Sequence, residues 1–202
     1  MKAHVEDTKT VNRDKVSARD RVLGTAADLF YKHGVHSVGI DRIIAESGVA
    51  KMTFYRHFPS KARLVAEYLA QKEQGWQQVL CGITNNSDKS PIEKVLGMFD
   101  ALELAIKNRD FCGCPFIKGL AEFGPERNEP EVRAQITAHF AAMENNLAQL
   151  LKQIRPKDAK KLLQPLMSLL TGTVVVAQAT GQTDVASRNK SAARALLEQG
   201  IL

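Results

Sequence analysis

The 202-residue chain is 44% hydrophobic, 25% charged and 6% aromatic, proportions that fit a folded globular protein and exclude a disordered or fibrous one. Its formal charge of +6 is uneven: residues 1–70 carry twelve Lys/Arg against eight Asp/Glu and so hold +4 of it, as a surface that meets a polyanion would. No apolar h-region follows Met1, no run approaches 18 apolar residues, and three cysteines make no disulfide framework, so the expectation is a chain without signal peptide or membrane span in a reducing, cytoplasmic setting.

Residues 1–16 mix Lys, Asp, Glu, Thr and Asn without periodicity and read as a flexible basic arm. From Ser17 onward Val22, Ala26, Leu29 and Phe30 share one helical face, and Gly34 ends that helix. A short helix with Ile40, Ile43 and Ile44 on one side stops before Gly48; another runs from Lys51 to Phe58 and is closed by Pro59. Ser60 caps a fourth helix that carries Leu64, Val65, Tyr68 and Leu69 inward and continues through Trp76 and Leu80. After the polar loop Asn85 to Pro91, helices are expected near 92–107, 115–123, 129–154, 158–180 and 184–200, with breaks at Gly113, Gly124-Pro125 and Gly181. Thr173-Val174-Val175-Val176 alone has strand character, but inside the apolar run from Leu162 to Ala177 it reads as buried helix, and the chain is all-α.

Ile40 to Phe58 has the dimensions of a helix-turn-helix: two helices of similar length joined by the tight turn Ser47-Gly48-Val49-Ala50. If Phe54 and Phe58 pack inward on Ile43 and Ile44, then Lys51, Met52, Thr53, Tyr55, Arg56 and His57 face outward on a rod that fits the DNA major groove. The wording from Gly34 to Leu64, above all Tyr55-x-His57-Phe58-x-Ser60-Lys61-x-x-Leu64, closely resembles the TetR (tetracycline repressor) family. The likeness covers the first helix to the fourth; beyond residue 70 it is one of architecture only.

The resemblance implies an all-α fold of about nine helices, with a three-helix DNA-binding domain over 17–65 and a helical ligand-binding and dimerisation domain over 66–202. It implies that Tyr55 donates its hydroxyl to a phosphate, that His57 contacts a neighbouring phosphate, and that Lys61 brings charge to a helix N-terminus already suited to an anion. Lys51, Met52 and Thr53 would face base edges. Departures are visible. Gly39 stands where Thr or Ser is usual and lacks the phosphate-contacting hydroxyl; Ala50 replaces a Ser cap; Ile44 replaces Ala; Ala62 stands where an acid is common. Lys2, Lys9, Arg13 and Lys15 of the arm read as a solvated tail rather than a minor-groove contact.

In the second half Met98, Phe99, Leu102, Phe111, Cys112, Phe116, Phe123, Phe140 and Met143 are candidates to line a largely apolar ligand cavity, with no carboxylate or histidine cluster expected among them. Cys112-Gly113-Cys114 is read as structural, although a CxC in a redox-sensing regulator is the alternative. The closing helices are apolar over much of their circumference, and Leu163, Leu166, Met167, Leu170, Val174, Ala193, Leu196 and Leu197 are expected to meet a two-fold partner in a four-helix bundle. With no GxSxG, HExxH or phosphate-loop signature and five scattered histidines, no catalytic residue, metal or cofactor is expected. A DNA-binding homodimer that responds to a small molecule is the leading expectation, and a helical interaction protein the rival.

Overall fold

The computed structural model describes residues 16–123 and 129–199. The arm over 1–16, apart from the exposed Val16, and the expected break at Gly124-Pro125 lie outside the described residues, as do 200–202 at the end of the last expected domain. The described residues are helical and turn, without strand: α1 (Ala18–His33), α2 (Ile40–Ser47), α3 (Lys51–His57), α4 (Lys61–Thr84), α5 (Pro91–Ile106), α6 (Pro115–Glu122), α7 (Pro130–Ile154), α8 (Ala159–Thr180) and α9 (Val185–Gln199). The chain divides into two compact units, Met1–Leu64 and Val65–Leu202.

The first unit is built by its punctuation. Ser17 starts α1 by accepting a hydrogen bond from the Asp20 amide at 3.1 Å, and Gly34, at φ 83°, ends it. Gly48 closes α2 in the left-handed region at φ 65°, where a Cβ would strain the backbone, and so turns the chain into α3. α1 packs against both α2 and α3. Val22, Ala26, Phe30, Val38, Ile43, Phe54 and Phe58 are fully buried, and Phe54 sits 6.1 Å from Phe58 between ring centres. Two large rings thus occupy the inner side of a helix only seven residues long. That leaves the polar side chains of α3 outside.

In the second unit α5 is packed against α7, α8 and α9, and α7 against α6 and α8. Its start is fixed by a reciprocal cap: the Ser90 hydroxyl accepts from the Glu93 amide while the Glu93 carboxylate accepts from the Ser90 amide at 2.7 Å, with Pro91 at the first helical position. The Ser90 hydroxyl also donates to that carboxylate at 2.7 Å, and this bond, with the one from the Ser90 amide, holds the Glu93 carboxyl below its usual range. The core gathers Leu80, Leu96, Met98, Phe99, Leu147, Leu151, Leu162, Leu166 and Leu170. α9 is tied to α8 by the Asn189 amide, which donates to Thr173 Oγ1 at 2.8 Å, and to α5 by Lys190 on Asp100 at 2.5 Å. Thr173 to Val176 is helical, as expected. α8 is also long and apolar enough to cross a membrane by length and composition alone, a property not anticipated from the sequence; here it lies against α5, α7 and α9 as one helix of a bundle.

Candidate functional site

The outward side of the first unit is formed by α3 and the residues around it. Met52 is 81% exposed, the largest exposure among the big apolar side chains described, and Tyr55 is 39% exposed with its ring edge-on to Phe54 at 5.3 Å. Lys51 and Arg56 are exposed, and Thr53, His57 and Lys61 half-buried. Lys51 Nζ lies 3.7 Å from the Asp41 carboxylate of α2, and Arg42 pairs with Glu46 at 2.7 Å along α2. Such exposed pairs add little stability.

The helix starts on this face carry few caps. Neither Gly39 before α2 nor Ala50 before α3 makes a side-chain cap hydrogen bond, so the first amides of both helices keep their donors available to an anion. Ser60 does cap α4, accepting from the Arg63 amide at 3.1 Å, and Lys61 is the first residue of that helix. Gly39 has φ −79°, and a Cβ built there meets nothing within 4 Å, so the space for a hydroxyl-bearing side chain exists.

The second unit contains a pair that the sequence reading did not foresee. Glu73 of α4 and His139 of α7 meet at 2.5 Å through Oε2 and Nδ1, although 66 residues separate them. The side chains are 19% and 6% exposed respectively. Gln77 Nε2 donates to the other carboxylate oxygen of Glu73 at 2.6 Å, and Asn146 Nδ2 reaches Gln77 Oε1 at 3.5 Å. The His139 ring is stacked on Phe116, centroids 3.7 Å apart and planes 4° from parallel, and Phe140 stands edge-on to it at 5.3 Å. Burial pushes the His139 pKa below its ordinary 6.5, against the upward pull of the Glu73 hydrogen bond and charge. With a carboxylate oxygen as its partner, Nδ1 is the ring nitrogen that carries a hydrogen and donates it. The pair was not foreseen from the sequence; among the described residues no group of three or more His, Cys, Asp or Glu is placed to hold a metal. Glu73, Gln77, His139, Asn146 and Trp76 were all missed; the signal was the i, i+3, i+4 row 73, 76, 77 facing the row 139, 143, 146.

The expected ligand residues fall into separate places. Phe116 and Phe140 flank His139; Phe99 and Met143 lie in the large core cluster, against which Leu102 packs. Phe111 packs instead with Ile106, Ala177, Val185 and Ala186, Phe123 is buried, and Cys112 is half-buried. Burial pushes the Cys114 thiol up; backbone hydrogen bonds from Ile117 and Phe116 act the other way, and the Glu73 charge adds to the rise. A thiol held protonated lacks the thiolate that oxidant sensing requires, which favours a structural role for Cys114.

The expected partner-facing set needs a correction. Leu166, Leu170, Val174, Ala193 and Leu197 are buried inside this chain, the first two and last two within its main core cluster. Each α8 or α9 turn has an inner side that its own protomer covers. Leu163, Met167 and Leu196 keep partial exposure, and Val175 and Val176 are 43% and 41% exposed.

Residues 22–68 match the family model described as bacterial regulatory proteins, tetR family. The crystal structure of SCO4454, a TetR-family transcriptional regulator from Streptomyces coelicolor, superposes with a TM-score of 0.83 at 30% identity, covering 90% of this chain and 95% of that one. The HTH-type transcriptional repressor KstR2 of Mycolicibacterium smegmatis is 33% identical over 97 residues, and the HTH-type transcriptional regulator QacR of Staphylococcus aureus 33% over 63. Those two matches take in 46% and 31% of this chain but only 45% and 34% of the relatives' own lengths.

Proposed function

This chain belongs to the TetR family of bacterial regulatory proteins, a DNA-binding transcriptional regulator, and from that premise we propose that it is a homodimeric, cytoplasmic repressor that a small molecule releases from its operator. The carrying observation is the division of α3, with Phe54 and Phe58 wholly buried while Met52 and Tyr55 stay exposed beside Lys51 and Arg56. In this reading Lys51, Met52 and Thr53 face base edges in the major groove. Tyr55, His57 and Lys61 hold phosphates, and Gly39 brings a bare helix start to the backbone. The repressor sense draws on the name of KstR2.

Gel shifts on DNA from its own promoter region test this. Lys61→Ala should weaken binding on all sequences and lower the slope of log affinity against log salt by about one. Tyr55→Phe should weaken binding with the slope unchanged, because no charge is lost, and Gly39→Thr should strengthen it by supplying the hydroxyl. Normal binding by both weakening variants would count against the reading.

Dimerisation is needed to present two recognition helices to successive major grooves. The outward apolar residues of α8, Val175 and Val176, with the partly exposed Leu163, Met167 and Leu196, support a second copy as their cover. Sedimentation equilibrium should give twice the 22.3 kDa of one chain, and Val175→Asp should shift the mass toward one chain and lower operator affinity. A monomeric wild type that binds operator fully would refute the dimer.

The ligand site in this reading is centred where Phe116 and Phe140 flank the Glu73–His139 pair. A ligand that binds one spacing of the recognition helices better than the other shifts the population toward it, and operator affinity changes by that difference alone.

A further inference from the structure

Three residues along α4 from Glu73, the indole nitrogen of Trp76 is buried and has no hydrogen-bond partner among the described residues. Trp76 packs against the apolar cluster containing Phe99, Met98 and Met143. Folded chains leave few buried donors unpaired, because the cost of desolvating them is not returned. An indole N–H can only donate, so the group that completes it carries an acceptor.

The hydrogen-bonded seam of Glu73, Gln77, His139 and Asn146 narrows the chemistry. Glu73, three residues earlier on the same face of α4, has both carboxylate oxygens engaged, one by Gln77 and one by His139. The seam already holds the Glu73 carboxylate, and an anionic ligand head next to it would be repelled. A cationic head offers the indole nothing to bond. We propose that the Trp76 N–H anchors the ligand through a neutral oxygen, so that the ligand is an uncharged, largely apolar molecule bearing a carbonyl or ether oxygen. This rests on the reading of the second unit as ligand-responsive.

The probes are 2-nonanone, nonanoate and nonylamine, added to the full-length protein without DNA. Trp76 is the chain's single tryptophan, so one indole cross-peak in a ¹⁵N-labelled sample reports on it. The expected result is a downfield shift of that peak with 2-nonanone, calorimetric binding of 2-nonanone about tenfold tighter than of either charged probe, and a roughly tenfold loss in Trp76→Phe. A peak unmoved by 2-nonanone, which would leave water as the donor's partner, overturns the proposal. So does a charged probe that binds as tightly, or a Trp76→Phe protein that binds like the wild type. Should Trp76→Phe fail to fold, the wild-type cross-peak and the ranking of the three probes decide. Failure of these measurements with operator binding intact sinks this inference alone, whereas loss of operator binding by the wild type sinks the regulator reading.

Discussion

Phe54→Ala is expected to abolish operator binding although Phe54 touches no DNA in the proposed complex. The ring is wholly buried on a seven-residue helix with no side-chain cap at its start, so α3 is held almost entirely by what its inner side packs against. Truncating a buried phenylalanine costs about 3–5 kcal/mol, against a total folding stability on the order of 5–15 kcal/mol. Urea unfolding should show a lower midpoint, and gel shifts no specific complex. Met52→Ala, at an exposed position of the same helix, should change stability by no more than about 0.5 kcal/mol while altering sequence preference. A Phe54→Ala protein that unfolds and binds like the wild type would mean that α3 is not positioned by its buried ring.

The second large effect is expected at the Glu73–His139 pair. Removing one partner of a buried hydrogen-bonded pair strands the other, at a cost of about 1–3 kcal/mol. Because Glu73 keeps 19% exposure, the lower end is expected for Glu73→Ala and His139→Ala, and their double-mutant cycle should show coupling above about 1 kcal/mol. The pH dependence has a definite sign. The folded state holds the His139 pKa below 6.5 while the unfolded chain titrates near that value, so between the two the unfolded state binds more protons. The contribution is complete above about pH 6.5 and is lost as pH falls toward the lower folded value. The groups involved are the Glu73 carboxylate on α4 and, through that charge, the Cys114 thiol before α6. His139→Gln, which keeps a donor for Glu73 but cannot titrate, should flatten the fall; an unchanged slope would assign it elsewhere.

Helix limits were legible because their causes are local. Gly34, Gly48, Pro59 and Gly181 end helices through backbone preferences written at single positions, and Ser60 begins one in the same way. The outward side of α3 was legible too, since a short helix with two rings on one side can bury only that side. Contacts distant in sequence were not. Nothing around Glu73 marks it as the partner of a histidine 66 residues later, and each reads alone as a surface acid or a core base. The partner-facing side of α8 was misjudged for a related reason: periodicity shows that a helix is apolar all round, not which side its own chain covers. Leu166 and Leu170 turned inward, and Val175 and Val176 outward.

The two glycines that bracket α2 have opposite mutational prospects. Gly48 sits at φ 65°, where nearly every replacement strains the joint on which α3 turns, so in the proposed complex a single codon change there is expected to weaken operator binding. Gly39 lies at φ −79° with open space around it, and its codon can drift to a hydroxyl residue without disturbing the helix behind it. In the proposed complex, loss and gain of grip on DNA are thus each expected one substitution away, at either end of the same short helix.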